Sequence, residues 1–220
     1  AVCRADAEIA LYRATIDARF GLSGIPRPES WTPARSLRLV TVGTVEPRKN
    51  HPGAIAITRA LIARGIPTRL DVVGRLGWGD HGFVDTSKDV ATFHGFLPED
   101  EGRRVIAAAD LYLCASHDEG LGLPLLEVQH GGIPVVAPDR APFTETMRAG
   151  AILVETGDPD SAAASIAAVV ATPGRLAALG AEAAGNVARW NEAAADDRAA
   201  FRAMLDQAGV SRRRGATLSR

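Results

Sequence analysis

Long apolar runs, net charge and cysteine are all scarce in this sequence, and each scarcity removes a class of protein. No apolar stretch approaches the ~20 residues that span a bilayer. The first twenty residues also lack the basic, apolar and small-residue succession of a secretory leader. A formal net charge of −1 offers no electrostatic footprint for a nucleic-acid partner. The two cysteines, Cys3 and Cys114, stand far apart, and Cys114 sits inside an apolar run, the setting of an inert buried thiol rather than a disulfide or metal ligand. There are no internal repeats. No G-x-G-x-x-G follows the first apolar run, and no G-x-x-x-x-G-K followed by Ser or Thr occurs, which argues against dinucleotide and P-loop chemistry. These absences describe a cytosolic chain.

What is present is a folding pattern. The 220 residues are 46% apolar, enough for one large domain or one domain with appended segments. Short apolar runs at Leu37–Val42, Arg69–Val73, Val90–Phe93, Leu111–Ala115, Ile133–Ala137 and Ala151–Val154 read as six strands. Helical segments fall between them, from about His51 to Arg64, Pro98 to Ala109 and Leu123 to Gly131, and within Arg140–Gly150. Further helices follow at 158–171 and 173–189, and another opens at Trp190; residues 75–89 read as an irregular loop. Strands alternating with helices predict an α/β fold, a doubly wound parallel six-stranded Rossmann-like sheet with helices on both faces. Ahead of it, Ile9, Tyr12, Ile16 and Phe20 have helical spacing, and residues 21–36 are rich in Pro, Gly and Ser. The organisation is therefore a helix and linker over 1–36, the sheet domain over 37–208 and a flexible basic tail over 209–220.

One stretch, Asp110–Pro138, organises the rest. It reads as strand, glycine-punctuated loop (Ser116–Gly122), helix opened by Leu123-Pro124 and closed by Gly131-Gly132, then strand. Such a unit directs unpaired N–H groups of Gly120, Leu121, Gly122 and Leu123, and the positive end of a helix dipole, toward the mouth of the sheet. Two acidic residues mark it: Glu119 in the loop and Glu127 one turn inside the helix, where a carboxylate can accept hydrogen bonds from both ribose hydroxyls. Gly43 and Gly74 close the first two strands on the same edge, and Arg48 and Lys49 follow the first strand. Taken alone, such an Arg-Lys pair reads as a solvated basic loop.

The run EGLGLPLLE, with Glu119 and Glu127 separated by seven residues, closely resembles the E-x7-E signature of retaining glycosyltransferases of family 4 (group 1). Ser116 before it and GGIPVVAPD after it resemble that family too. The run GTVEPRKN at 43–50 is similar to the family's phosphate segment, with Thr44 standing where many members carry arginine, and Trp190 opens a helix similar to the family's terminal one. The resemblance implies the C-terminal, donor-binding half of a two-domain GT-B fold, with an N-terminal acceptor-binding domain upstream. The segment before residue 37 is then either a remnant of that half or a cap.

The resemblance also implies roles. Arg48 and Lys49 hold the donor diphosphate, and backbone groups around His94, Gly95, Phe96 and Leu97 line a nucleobase pocket, His94 itself reading as structural rather than as a base. Glu119 reaches the donor sugar and stabilises positive charge near its anomeric carbon. The donor is a UDP- or GDP-linked hexose, transferred with retention to a glycan, a lipid-linked sugar or a small molecule. No Asp-x-Asp pair that would hold a metal on the diphosphate is expected, and so neither metal nor other cofactor. The missing half could touch a membrane peripherally, and the chain alone would bind donor but turn over poorly. A different class of reading is a non-catalytic nucleotide-sugar binding or interaction module of a larger assembly; a nucleotide-sugar epimerase is disfavoured by the E-x7-E context.

Overall fold

The computed structural model describes Arg13, Thr15, Ile16, Leu22 and residues 31–207. The helix expected over 5–20 falls almost wholly outside the described residues, as do most of the linker, Cys3 and the tail over 209–220. Six strands, β1 (Leu37–Val42), β2 (Thr68–Val73), β3 (Ala91–Gly95), β4 (Leu111–Leu113), β5 (Val135–Pro138) and β6 (Ala151–Val154), form one sheet in the order β3-β2-β1-β4-β5-β6. Every pairing is parallel. The connecting helices are α1 (His51–Ala63), α2 (Gly82–Thr86), α3 (Glu99–Ala107), α4 (Leu123–His130) and α5 (Phe143–Thr146), followed by α6 (Pro159–Ala171) and α7 (Arg175–Gln207). The expected doubly wound Rossmann-like sheet is what forms.

The order follows from the handedness of parallel crossovers. A right-handed crossover puts the connecting helix on one face while the chain steps one way and on the other face once it reverses. Here the chain steps outward from β1 to β3, then returns to lay β4 against the free side of β1. Leu39, Leu70, Leu111 and Leu113 pack on one face with Ile57 and Leu61 of α1 and with Ala162, Ala163 and Ile166 of α6. The two buried alanines let α6 lie close beside α1. Leu61 is fully buried in this cluster, so Leu61→Ala would cost about 2–5 kcal/mol. The alternate residues Val40, Tyr112 and Val135 are equally buried, and α4 and α5 lie against β5. Both faces are covered, which is why these strands read as continuous apolar runs rather than alternating ones.

Three expectations need correcting. Residues 75–89 are not all loop: α2 forms there, its first turn held by the Gly82 amide donating to Asp80 Oδ1. β3 runs on through His94 to Gly95, because a register shift after Val72 brings Val73 opposite Gly95 and lets the Gly74 amide donate to the Gly95 carbonyl. The two helices expected at 173–189 and from Trp190 are one continuous α7. That stretch is alanine-rich and contains no proline, so nothing in it stops a helix.

The chain divides into two compact units, residues 16–187 and residues 1–15 with 188–220. In the second, Arg13 donates to Asp197 at 3.1–3.2 Å and lies 5.9 Å over the Trp190 ring. Among the described residues no single helix is long and apolar enough to cross a membrane.

Candidate functional site

The chain reverses direction between β1 and β4, and a doubly wound sheet opens a crevice at the carboxyl ends of the strands flanking that reversal. Two loops enter it, 43–50 after β1 and 114–122 after β4. Asn50 ties them together. Its backbone is left-handed (φ 49), its Oδ1 accepts from the Gly53 amide and so caps α1, and its Nδ2 donates to the Ala115 carbonyl at 3.1 Å. The His117 amide donates back to the Arg48 carbonyl at 2.8 Å. Below them Tyr112 bridges β4 to β1, its hydroxyl meeting the Val42 amide at 3.3 Å and carbonyl at 3.2 Å. Burial pushes this phenol far above its ordinary range, so it stays neutral.

Glu119, Arg48 and Lys49 meet at the centre of the crevice. Lys49 Nζ donates to Glu119 Oε1 at 2.6 Å and Arg48 Nη1 to Oε2 at 3.0 Å, while Ser116 Oγ donates to Oε1 at 2.8 Å. Arg48 is also held by Glu46 at 2.9 Å and by the Asp118 carbonyl at 2.9 Å. Burial alone would raise the Glu119 carboxyl; Lys49, Ser116 and Arg48 outweigh it and hold the group below its usual range. Lys49 and Arg48 are thus offset by Glu119, from a loop 70 residues away, and by Glu46.

Beyond Glu119 the loop runs through an exposed Gly120 and a half-buried Leu121 to Gly122, the cap of α4. Gly122 is left-handed (φ 74), a conformation that costs a residue with a Cβ and suits glycine. α4 has no side-chain cap, and Pro124 removes one amide from its first turn. The amides of Gly120–Leu123 are therefore the donors available to an anion at this helix end. Leu123 is 40% exposed there, and Glu127 is half-buried on the second turn of α4.

The other expected donor-site residues gather at the ends of β1, β2 and β3, around a cavity of about 390 Å³. Gly43, Gly74, Gly95, Phe96 and Leu97 all line it. Gly74 is required by close approach: a Cβ there would lie 1.8 Å from the Gly43 carbonyl oxygen. His94 does not line this cavity; its Nε2 pairs with Asp71 Oδ1 at 2.8 Å on the sheet face.

Several residues at the site were not legible beforehand. Arg140, after β5, donates through Nη2 to the carbonyls of Ser116 and His117, both at 2.8 Å, and so clamps the start of the glycine loop. His51, the first residue of α1, is 2% exposed, with an Nδ1 that has no partner. Burial, then the charge of Lys49, pushes it down to about 4. An Asp-x-Asp does occur, Asp158-Pro159-Asp160, outside the two candidate loops, and there Asp158 caps α6 by accepting from the Ser161 amide. Among the described residues no group of three or more His, Cys, Asp or Glu is arranged to hold a metal.

This is a Rossmann-like α/β domain whose crevice gathers cations, a carboxylate and free backbone amides at a helix end. The chain belongs to the glycosyl transferases group 1, the family that residues 27–185 match. It is 33% identical over 177 residues to a D-inositol 3-phosphate glycosyltransferase of Segniliparus rotundus, covering 74% of this chain and 39% of that protein. It is 28% identical over 131 residues to O-antigen chain mannosyltransferase B of Escherichia coli, covering 57% of this chain and 34% of that one. The chain thus spans about two fifths of the length of the curated relatives it matches. In fold it is similar to sucrose-phosphate synthase from Thermosynechococcus elongatus (TM-score 0.65, 23% identity, 90% of this chain and 50% of that one). It is also similar to the Anabaena HepE structure in complex with UDP and glucose (TM-score 0.60, 20% identity, 76% and 49%).

Proposed function

We propose that this chain is the donor-binding half of a retaining group 1 glycosyltransferase, taking a nucleoside-diphosphate hexose without a metal. The observation that carries the reading is the meeting of Lys49, Arg48 and Glu119 at the β1/β4 crevice, beside the uncapped start of α4. Breaking the bond between the anomeric carbon and the diphosphate builds negative charge on the leaving phosphate and positive charge on the sugar ring. Lys49, Arg48 and the amides of Gly120–Leu123 offset the first charge, as fixed cations and dipoles do at other anionic transition states. Glu119 offsets the second and accepts hydrogen bonds from sugar hydroxyls.

Glu127, one turn inside α4, accepts from the ribose hydroxyls. The cavity floored by Gly43, Gly74 and Gly95 then receives the base, on the far side of the diphosphate from the sugar. The activities for which the relatives are named, transfer of glycosyl or mannosyl groups, and the UDP bound in a neighbour of similar fold support a nucleotide-sugar donor. An N-terminal acceptor-binding domain completes the enzyme, and it sets whether the acceptor is a glycan, a lipid-linked sugar or a small molecule. Calorimetric titration with UDP, GDP and ADP tests the reading: at least one binds, and Glu127→Ala weakens it. A Glu127→Ala variant that binds nucleotide as tightly as the parent removes the ribose role.

A further inference from the structure

The cavity at the ends of β1–β3 has one strongly polar corner. Glu99 and Arg103, four residues apart on α3 and both lining the cavity, form an ion pair. Arg103 also lies 3.9 Å from Asp100, and its Nε is buried without a hydrogen-bond partner. Glu99 keeps 72% of its side chain exposed, so its carboxylate is open to an incoming group. Three acids, Glu99, Asp100 and Glu101, share the first turn of α3, and any of them serves the helix dipole equally. Only Glu99 also lines the cavity. At the rim stands Phe96, a residue 85% exposed. An uncovered aromatic face beside a glycine-floored slot suits a flat heterocycle.

We propose that the Glu99–Arg103 pair selects guanine as the base of the donor nucleotide; the inference rests on the donor-site reading above and specifies its substrate. A nucleobase can present one edge to this corner, and the edges differ in their order of donors and acceptors. Guanine presents the O6 acceptor, then the N1–H and N2–H donors. A guanidinium N–H beside a carboxylate answers with a donor and two acceptors, so all three groups are satisfied. Uracil presents acceptor, donor, acceptor, and its second carbonyl would face a carboxylate oxygen. Adenine puts its ring-nitrogen acceptor against the same carboxylate. Two acceptors set against each other repel, and that repulsion is what rejects the wrong ligand. The i, i+4 spacing already holds both head groups on one side of the helix before any ligand arrives.

Calorimetric titration of the whole chain with GDP, UDP and ADP decides the matter. The expected result is GDP binding about tenfold or more tightly than UDP or ADP. Glu99→Gln and Arg103→Met should each shrink that preference, Glu99→Gln by weakening GDP and relieving UDP, with a retained far-UV circular dichroism spectrum reporting an intact fold. UDP binding as tightly as GDP, or a GDP preference that survives both substitutions, overturns the base assignment and leaves the donor site standing. If none of the three nucleotides binds, the donor-site reading falls, and this inference falls with it.

Discussion

Lys49 Nζ stands 2.6 Å from Glu119 Oε1, so the cation suited to a diphosphate and the carboxylate suited to a sugar neutralise each other across the β1/β4 crevice. Arg48 joins the same carboxylate from its other oxygen. An arriving diphosphate must compete with Glu119 for both cations. Glu119→Gln removes that competition, and bare GDP or UDP should bind roughly fivefold more tightly, in line with about 1 kcal/mol for a partly screened pair. Titration at two salt concentrations checks it; a loss of diphosphate affinity in Glu119→Gln would contradict the competition.

Lys49→Ala acts in the opposite direction. It should weaken diphosphates by about tenfold or more, since charge-assisted contacts are worth roughly 1.5–3 kcal/mol. The bare nucleoside should be nearly indifferent. Equal losses for guanosine and GDP would mean that Lys49 supports the loop rather than the phosphate.

His51 makes stability depend on pH. Burial and the neighbouring Lys49 charge push its imidazole down to about 4. The unfolded chain takes up this proton near pH 6.5, the folded one only near 4, so the unfolded state binds more protons between those values. Stability is therefore complete above about pH 6.5 and falls as pH drops toward 4, by at most roughly 3 kcal/mol. Urea midpoints measured across this range should show the slope, and His51→Leu should flatten it. An identical slope in the variant would assign it to other groups.

Asn50 carries a helix cap, a link to the Ala115 carbonyl and a left-handed backbone at once. Asn50→Gly keeps the backbone and loses both side-chain bonds, whereas Asn50→Ala also takes on strain. Thermal denaturation should rank them parent, Gly, Ala, with about 1–2 kcal/mol lost for Ala. Asn50→Ala as stable as Asn50→Gly would remove the backbone argument.

Gly74→Ala should be the most damaging of these changes. The added methyl falls 1.8 Å from the Gly43 carbonyl oxygen, so the ends of β1 and β2 must separate and the cavity floor opens. Overpacking on this scale costs about 1–3 kcal/mol or more. Circular dichroism should retain the helical signal while nucleotide binding is lost; a variant that binds normally would show that the floor can yield.

Much of the architecture was readable from local pattern. β1 and β6 fall where their apolar runs predict, and α1, α4 and α6 begin where proline, a capping residue or glycine announces them. Burial on both faces of a parallel strand and a helix's need for an end signal are properties of a few adjacent residues. α7 shows the same rule failing to a longer range, since its expected break at Trp190 rested on a motif rather than on a helix-stopping residue.

What the chain's order alone determined was therefore a set of elements and two candidate loops, together with the family to which their motifs belong. The tertiary structure decided which groups meet. The reversal after β3 brings loops 70 residues apart into one crevice and pairs Glu119 with Lys49, while the pairing of β3 beside β2 sets His94 against Asp71 and Arg140, after β5, reaches the glycine loop. It also separates Glu99, which lines a cavity, from Asp100 and Glu101, which share its helix turn and do not. No local pattern encodes such meetings, because they depend on which strand lies beside which, and that is settled by crossovers closing over the whole sheet.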